Sequence, residues 1–238
     1  LSAAMRDMDQ SDSLSRALIK LRDIDGDGVV DMLVISVKSQ GVFRKQTSYQ
    51  LHRGINVKGK LAFTQQPVTT IESTGYQFEI KAVDFNNDSQ TDMMISAVDI
   101  GLGKVLRALI TGSINIDLNF YQMKTGLYAA KPDLKRKMTA TFDLRSGDFF
   151  FPSVLVADAD GDGIDDLLVQ EGEDRLNVFL GVGDDSLFLK SPTVINVPMP
   201  SDPELVVAAK LNRDGKVDLV MRHEPTNGAK KIVLMVSE

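Results

Sequence analysis

A nine-residue acidic pattern recurs four times along the chain, each time between two short apolar runs, and it limits the folds available. The pattern is D-x-D-x-D-G-x-x-D. It is complete in "DIDGDGVVD" (Asp23, Asp25, Asp27, Gly28, Asp31) and in "DADGDGIDD" (Asp158, Asp160, Asp162, Gly163, Asp166). A weaker copy, "DFNNDSQTD", carries Asp84, Asn86, Asp88, Ser89 and Asp92, and a degenerate one, "KLNRDGKVD", carries Lys210, Asn212, Asp214, Gly215 and Asp218. A spacing of several tens of residues between like segments signals repeat architecture. The flanks repeat too: "ALIKLR", "FEIKAV", "SVLVA" and "LVVAA" precede the loops, and "MLVISV", "MMISAV", "LLVQ" and "LVMR" follow them. Short runs rich in Val, Ile and Leu between turn residues read as strands. Each copy is therefore strand, acidic loop, strand.

Further strands follow in "VFRKQTSYQL", "KLAFTQQPVTTI", "RLNVFLGV" and "TVINVP". That gives about four strands per unit, the size of a propeller blade. The expected fold is all-β: a β-propeller or partial propeller of about four four-stranded blades, with calcium-binding hairpin loops. The units fall at roughly 14–75, 76–150, 151–200 and 201–238 of a single domain spanning 1–238. Amphipathic helix pattern is scarce. "SLSRALIKLR" comes nearest, and its second half reads as strand because the other copies have a strand there. Residues 125–145 look least regular, with the basic run "KPDLKRK" (Lys131 to Lys137) read as a solvated excursion. The triplet Phe149 to Phe151 reads as core packing.

Four like charges in nine residues repel unless something compensates them. Carboxylates at positions 1, 3, 5 and 9 can converge on one point, and a hard cation taking six to eight oxygens suits such a set. Glycine at position 6 permits positive φ. The position-7 carbonyl is the expected backbone ligand, at Val29, Gln90 and Ile164. A helix-loop-helix calcium site would need a glutamate at position 12, where this chain has Val34, Ile95 and Val169. Magnesium prefers fewer protein ligands, and transition metals would call for His or Cys. An acidic surface turn is the competing reading, since Asp and Gly favour turns anyway, but turn preference does not explain three copies with one spacing.

The copies are unequal. Loops one and three carry four ligand aspartates and are expected to bind calcium strongly. Loop two has Asn86 and a Ser89 that would be strained at positive φ, and it is expected to bind more weakly. In loop four the Lys210 ammonium would pair with Asp214 and Asp218 where a cation would sit, so that loop is expected to be empty.

The loop and the strand after it resemble the FG-GAP/VCBS repeat, which builds the integrin-α-like propellers and the blades of many bacterial secreted proteins. The third copy, "VLVADADGDGIDDLLVQ" with "LNVFLGVGDDSLF", is the closest of the four to the family pattern and is similar to its strand and G-x-G-D-G-x-F turn. The resemblance implies calcium ligands at Asp23, Asp25, Asp27 and Asp31, at Asp84, Asn86, Asp88 and Asp92, and at Asp158, Asp160, Asp162 and Asp166. It also implies a secreted, periplasmic or cell-surface module for recognition or adhesion, with calcium structural and a protein or glycan as ligand. The alternative it carries is a catalytic or non-catalytic propeller part of a secreted polysaccharide- or lipid-degrading enzyme. Such propellers usually close with more blades than four, so the chain is expected to meet neighbouring blades of a longer propeller or a second copy at its open edge.

The remaining features point away from other classes. A net charge of −6 disfavours nucleic acid, which needs a basic surface. No apolar run is long enough to span a membrane. The absence of cysteine excludes disulfides and thiol catalysis. The chain opens on Leu1 rather than methionine, so a trimmed product with its export signal removed is the expectation. His52 and His223 have no catalytic motif around them, and neither a nucleophile elbow nor a P-loop is present. An enzymatic role is therefore the less favoured reading.

Overall fold

The computed structural model describes residues 14–39, 45–98, 101–183, 186–223 and 231–237. Every acidic loop closes an antiparallel hairpin in one register. β1 (Leu14–Arg22) pairs with β2 (Asp31–Ser39) so that Arg22 faces Asp31. β2 continues to β3 (Lys45–His52). A small hairpin of β4 (Gly54–Val57) and β5 (Lys60–Phe63) intervenes before β6 (Thr69–Thr74), and the sheet order is β1-β2-β3-β6. β3 alternates buried side chains with more accessible ones along its whole length, the period-two pattern of a half-buried strand.

The second loop joins β7 (Tyr76–Val83) to β8 (Asp92–Val98), with Val83 facing Asp92. β8 is buried throughout. Next comes a helix, α1 (Leu102–Thr111), and then β9 (Ser113–Tyr121), which returns alongside β8. The ribbon β10 (Met123–Lys124) and β11 (Leu127–Tyr128) leads to β12 (Leu134–Phe142) and β13 (Phe149–Phe150). The order here is β13-β12-β9-β8-β7, five strands where four are expected.

The third loop lies between β14 (Val154–Ala157) and β15 (Asp166–Gln170), with Ala157 facing Asp166. β16 (Arg175–Phe179) and β17 (Thr193–Asn196) complete a four-stranded sheet. The fourth loop lies between β18 (Val206–Ala209) and β19 (Asp218–His223), and β20 (Lys231–Met235) is the last described strand. There Ala209 faces Asp218.

The described residues are thus all-β apart from α1 and a short 3-10 turn at Pro203–Leu205. It packs as two compact units, one from Leu1–Val83, Ser89–Thr111 and Ile116–Arg136, the other from Asp84–Asp88, Gly112–Asn115 and Lys137–Glu238. The first core gathers Ile24, Leu33, Tyr49, Leu51, Ile71 and Met93. The second gathers Leu168, Leu176, Val178, Val206, Leu219 and Met221.

Three local expectations change. α1 stands in a segment for which no helix is expected, and its Leu106, Leu109 and Ile110 are exposed. The second half of the basic run is not an excursion but the start of β12, where Lys135 and Lys137 face outward and Met138 and Ala140 are buried. Phe149 is 56% exposed rather than core, stacked on Phe151 with ring centroids 6.3 Å apart. β13 is only two residues long and, among the described strands, pairs with β12 at the end of its sheet.

Candidate metal centre

Loops one and three are wound by the same side chain to backbone bonds. In loop one, the Asp23 carboxylate accepts the N–H of Gly26 (2.8 Å) and of Gly28 (2.9 Å). Asp25 accepts from Asp27 (3.2 Å), and Asp27 accepts from Val29 (2.8 Å). In loop three, Asp158 accepts from Gly161 (2.6 Å) and Gly163 (3.2 Å), Asp160 from Asp162 (3.2 Å), and Asp162 from Ile164 (2.8 Å). Aspartates that capture backbone N–H groups a few residues on stabilise tight turns. Both loops place positions 4 and 6 in the left-handed region, at Gly26 and Gly28 and at Gly161 and Gly163. The motif explains position 6. Position 4 is equally demanding, and the glycines there in both complete copies were the signal for it.

This winding gathers carboxylates. Oxygens of Asp23, Asp25 and Asp27 lie within 4.8 Å of one another, and so do oxygens of Asp158, Asp160 and Asp166. Every donor is a hard oxygen, which fits an alkaline-earth cation better than zinc or copper. Burial is the main cause of a raised pKa at Asp25, with Asp31 and Asp27 adding to it and Arg53 opposing it. Burial also raises Asp166, against the lowering effect of the N–H groups of Gly181 and Ala159. Asp165, at position 8, is raised by burial and then by Asp158, Asp166 and Asp84.

The position-9 aspartates have a second duty. Asp31, Asp92, Asp166 and Asp218 are all buried. Asp31 Oδ2 accepts the N–H of Ile24 (2.9 Å), and its Oδ1 accepts the N–H of Gly54 (2.8 Å). Asp166 repeats this with Ala159 (2.8 Å) and Gly181 (2.7 Å), and Asp218 with Leu211 (2.6 Å) and Ser237 (3.0 Å). Asp92 Oδ1 accepts from Met123 (2.7 Å). One oxygen thus fastens the loop to itself and the other fastens it to a later segment of chain. Gly54 and Gly181 are where that segment passes closest. A Cβ on either would collide with the position-8 carbonyl, of Val30 or Asp165, and with the position-7 side chain, Val29 or Ile164.

In loop two, Asp84 Oδ1 accepts the Asp88 N–H (3.1 Å), and Asn86 Nδ2 donates to Asp88 Oδ2 (3.1 Å). Ser89 has φ +68° and Asn87 has φ +57°, so the strain expected at position 6 is present. The Gln90 side chain accepts the Gly126 N–H (3.3 Å). In loop four, Lys210 is exposed. Asp214 instead takes bonds from Asn212 (2.8 Å), Ser237 (3.3 Å) and the Lys216 N–H (2.9 Å). The expected pairing of Lys210 with Asp214 and Asp218 is replaced by these bonds. Neighbouring loops also touch. Thr91 N–H donates to the Ile24 carbonyl (2.8 Å), and Val217 N–H to the Asp158 carbonyl (2.8 Å).

Loop three lies within a segment that matches a family model. Residues 138–221 match the FG-GAP-like repeat. Repeats of this type form β-propellers. The FG-GAP-like segment begins within β12 and ends in β19, and it contains both loop three and loop four. Its glycine turn begins at Gly181, the clamp on Asp166. Asp184 and Asp185 of that turn lie outside the described residues. No curated protein and no solved structure matches the chain. His52 Nδ1 is engaged with the Thr64 carbonyl at the end of β3 (2.8 Å), and His223 ends β19.

Proposed function

We propose that this chain is a calcium-binding β-propeller-type module that acts outside the cytoplasm as a recognition or adhesion platform, with the ion in a structural role. One observation carries the reading: two loops far apart in sequence share one winding, and each gathers three aspartate oxygens within 4.8 Å. In loop one Asp23, Asp25 and Asp27 would hold the ion, and in loop three Asp158, Asp160 and Asp166, with Asp31 and Asp162 completing the sets. The Val29 and Ile164 carbonyls are the backbone donors proposed for position 7, and loop two, through Asp84, Asn86, Asp88, Gln90 and Asp92, is a weaker third site. Bound calcium neutralises these carboxylates and fixes the hairpin, and it stabilises the folded state in proportion to ln(1 + [Ca]/Kd). The location proposed is secreted, periplasmic or at the surface, as in the secreted propellers the repeat resembles, where calcium is plentiful enough to fill sites of the weak extracellular class. The ligand proposed for the platform is a protein or a glycan.

Calorimetric titration with calcium, together with melting in calcium and in chelator, tests the reading. Binding heat and a higher Tm in calcium are expected, and both should fall when Asp158 and Asp160 are changed to Asn. No heat and one Tm in both buffers would overturn it.

A further inference from the structure

Loop one holds a cationic side chain of its own. Arg53 precedes the clamp residue Gly54, and its Nε lies 2.7 Å from Asp25 Oδ2. The Nε–H is not aligned on an acceptor, so the contact is one of charge more than of directed hydrogen bonding. The far end of the guanidinium is anchored, because Nη2 donates to the Gly126 carbonyl (3.1 Å). Gly126 leaves room for it: a Cβ there would overlap Nη2 and sit 3.2 Å from Asp25 Oδ2. The near end is fixed by the Arg53 N–H, which donates to Thr64 Oγ1 (3.2 Å). The Asp25 side chain is only 5% exposed, so water screens this pair less than a surface one.

The other repeats supply an internal control. The residue before each position-9 clamp is Arg53 in the first, Gln122 in the second, Leu180 in the third and Val236 in the fourth. Only the first is a cation. Asp160, the counterpart of Asp25, is exposed and pairs with no cationic side chain among the described residues.

We propose that Arg53 is the resident counter-cation of loop one, and that it makes this loop the weaker of the two main divalent-cation sites. The inference rests on the calcium reading above. It also breaks the equality of loops one and three that their identical motif suggests. An arriving divalent ion must share Asp25 with a guanidinium or displace it, and like charges a few ångströms apart repel even through high dielectric. When no ion is bound, the guanidinium compensates part of the charge of Asp23, Asp25 and Asp27. In loop three the corresponding position is Leu180, which offers Asp160 no charge.

The test is calcium titration of the whole chain by calorimetry. In a chain whose loop two is silenced by Asp84→Asn/Asp88→Asn, Asp158→Asn/Asp160→Asn isolates loop one, and Asp23→Asn/Asp27→Asn isolates loop three. With Arg53 intact, loop one is expected to bind about tenfold or more weakly than loop three. Arg53→Gln is expected to tighten loop one by about that factor and leave loop three unchanged, while Arg53→Lys, which keeps the charge, stays close to the parent. Arg53→Gln should also make the melting of the chain more sensitive to chelator. Equal affinities of the two isolated loops overturn the proposal whether or not Arg53→Gln folds, and so does an Arg53→Gln chain with unchanged loop-one affinity. Absence of calcium heat in the parent chain overturns the underlying calcium reading instead.

Discussion

Gly54 and Gly181 are not at positive φ, yet each is required, because a carbonyl and a branched side chain occupy the space a Cβ would take. Changing either to Ala forces the hairpin loop away from its clamp. A loss of about 3 kcal/mol is expected in urea unfolding, the upper range for overpacking. Gly59→Ala makes a useful contrast: its φ is +79° but nothing lies near, so only left-handed strain of about 1 kcal/mol is expected. Asp218 gives the pH test at the same scale. The N–H groups of Leu211 and Ser237 hold its carboxyl below the ordinary carboxylate range. A depressed folded pKa means that the stabilisation is present above the unfolded value and fades as pH falls through the folded one. Melting followed from pH 7 to pH 2 should therefore fall more steeply below pH 4 in the parent than in Asp218→Asn, which should already be less stable at pH 7. Equal slopes for the two chains would show that these bonds carry no linkage.

Loops and the helix are the elements where sequence and structure compare most usefully. The acidic loops were legible because their bonds are local: donors and acceptors in loops one and three lie two to seven residues apart. Residue types and spacing are then sufficient to specify them. The clamps were not legible, because Gly54 lies 23 residues beyond Asp31 and Gly181 lies 15 beyond Asp166. Their meeting depends on strand pairing that no local motif encodes. α1 had a signal, with apolar residues at 102, 105, 106, 109 and 110, but it was masked by the strand pattern of the neighbouring repeats. Its apolar side chains at Leu106, Leu109 and Ile110 face solvent, so replacing any one of them with Ser should change stability by no more than about 0.5 kcal/mol in the isolated chain. In loop two, Ser89→Gly removes a left-handed strain and should raise stability by about 1 kcal/mol. Asn87→Gly should gain less, because asparagine tolerates that region better.

For the molecule as a whole, the all-β class and one hairpin per acidic loop followed from the repeat. The unequal sheets, with four, five, four and three strands besides two small ribbons among the described residues, did not. The insertions differ between repeats: α1 follows the second hairpin, and the β4–β5 ribbon, whose first residue Gly54 supplies the clamp on Asp31, follows the first. A whole-chain prediction follows from linkage. With free calcium at one hundred times the Kd of a site, that site should add about 2.7 kcal/mol to unfolding free energy. Chemical denaturation in calcium and in chelator measures the difference, and superimposable curves would mean that the ion is not coupled to folding. The buried position-9 aspartates carry a different consequence. Each is latched by backbone N–H groups whether its loop reads DIDGDG or KLNRDG. Closing the hairpin and holding an ion are therefore separate properties. A copy can accumulate substitutions at positions 1, 3 and 4, as the fourth has done at Lys210, Asn212 and Arg213, and remain a sound hairpin. A chain of this design is free to lose or regain ion sites one at a time, without the rest of the architecture registering the change.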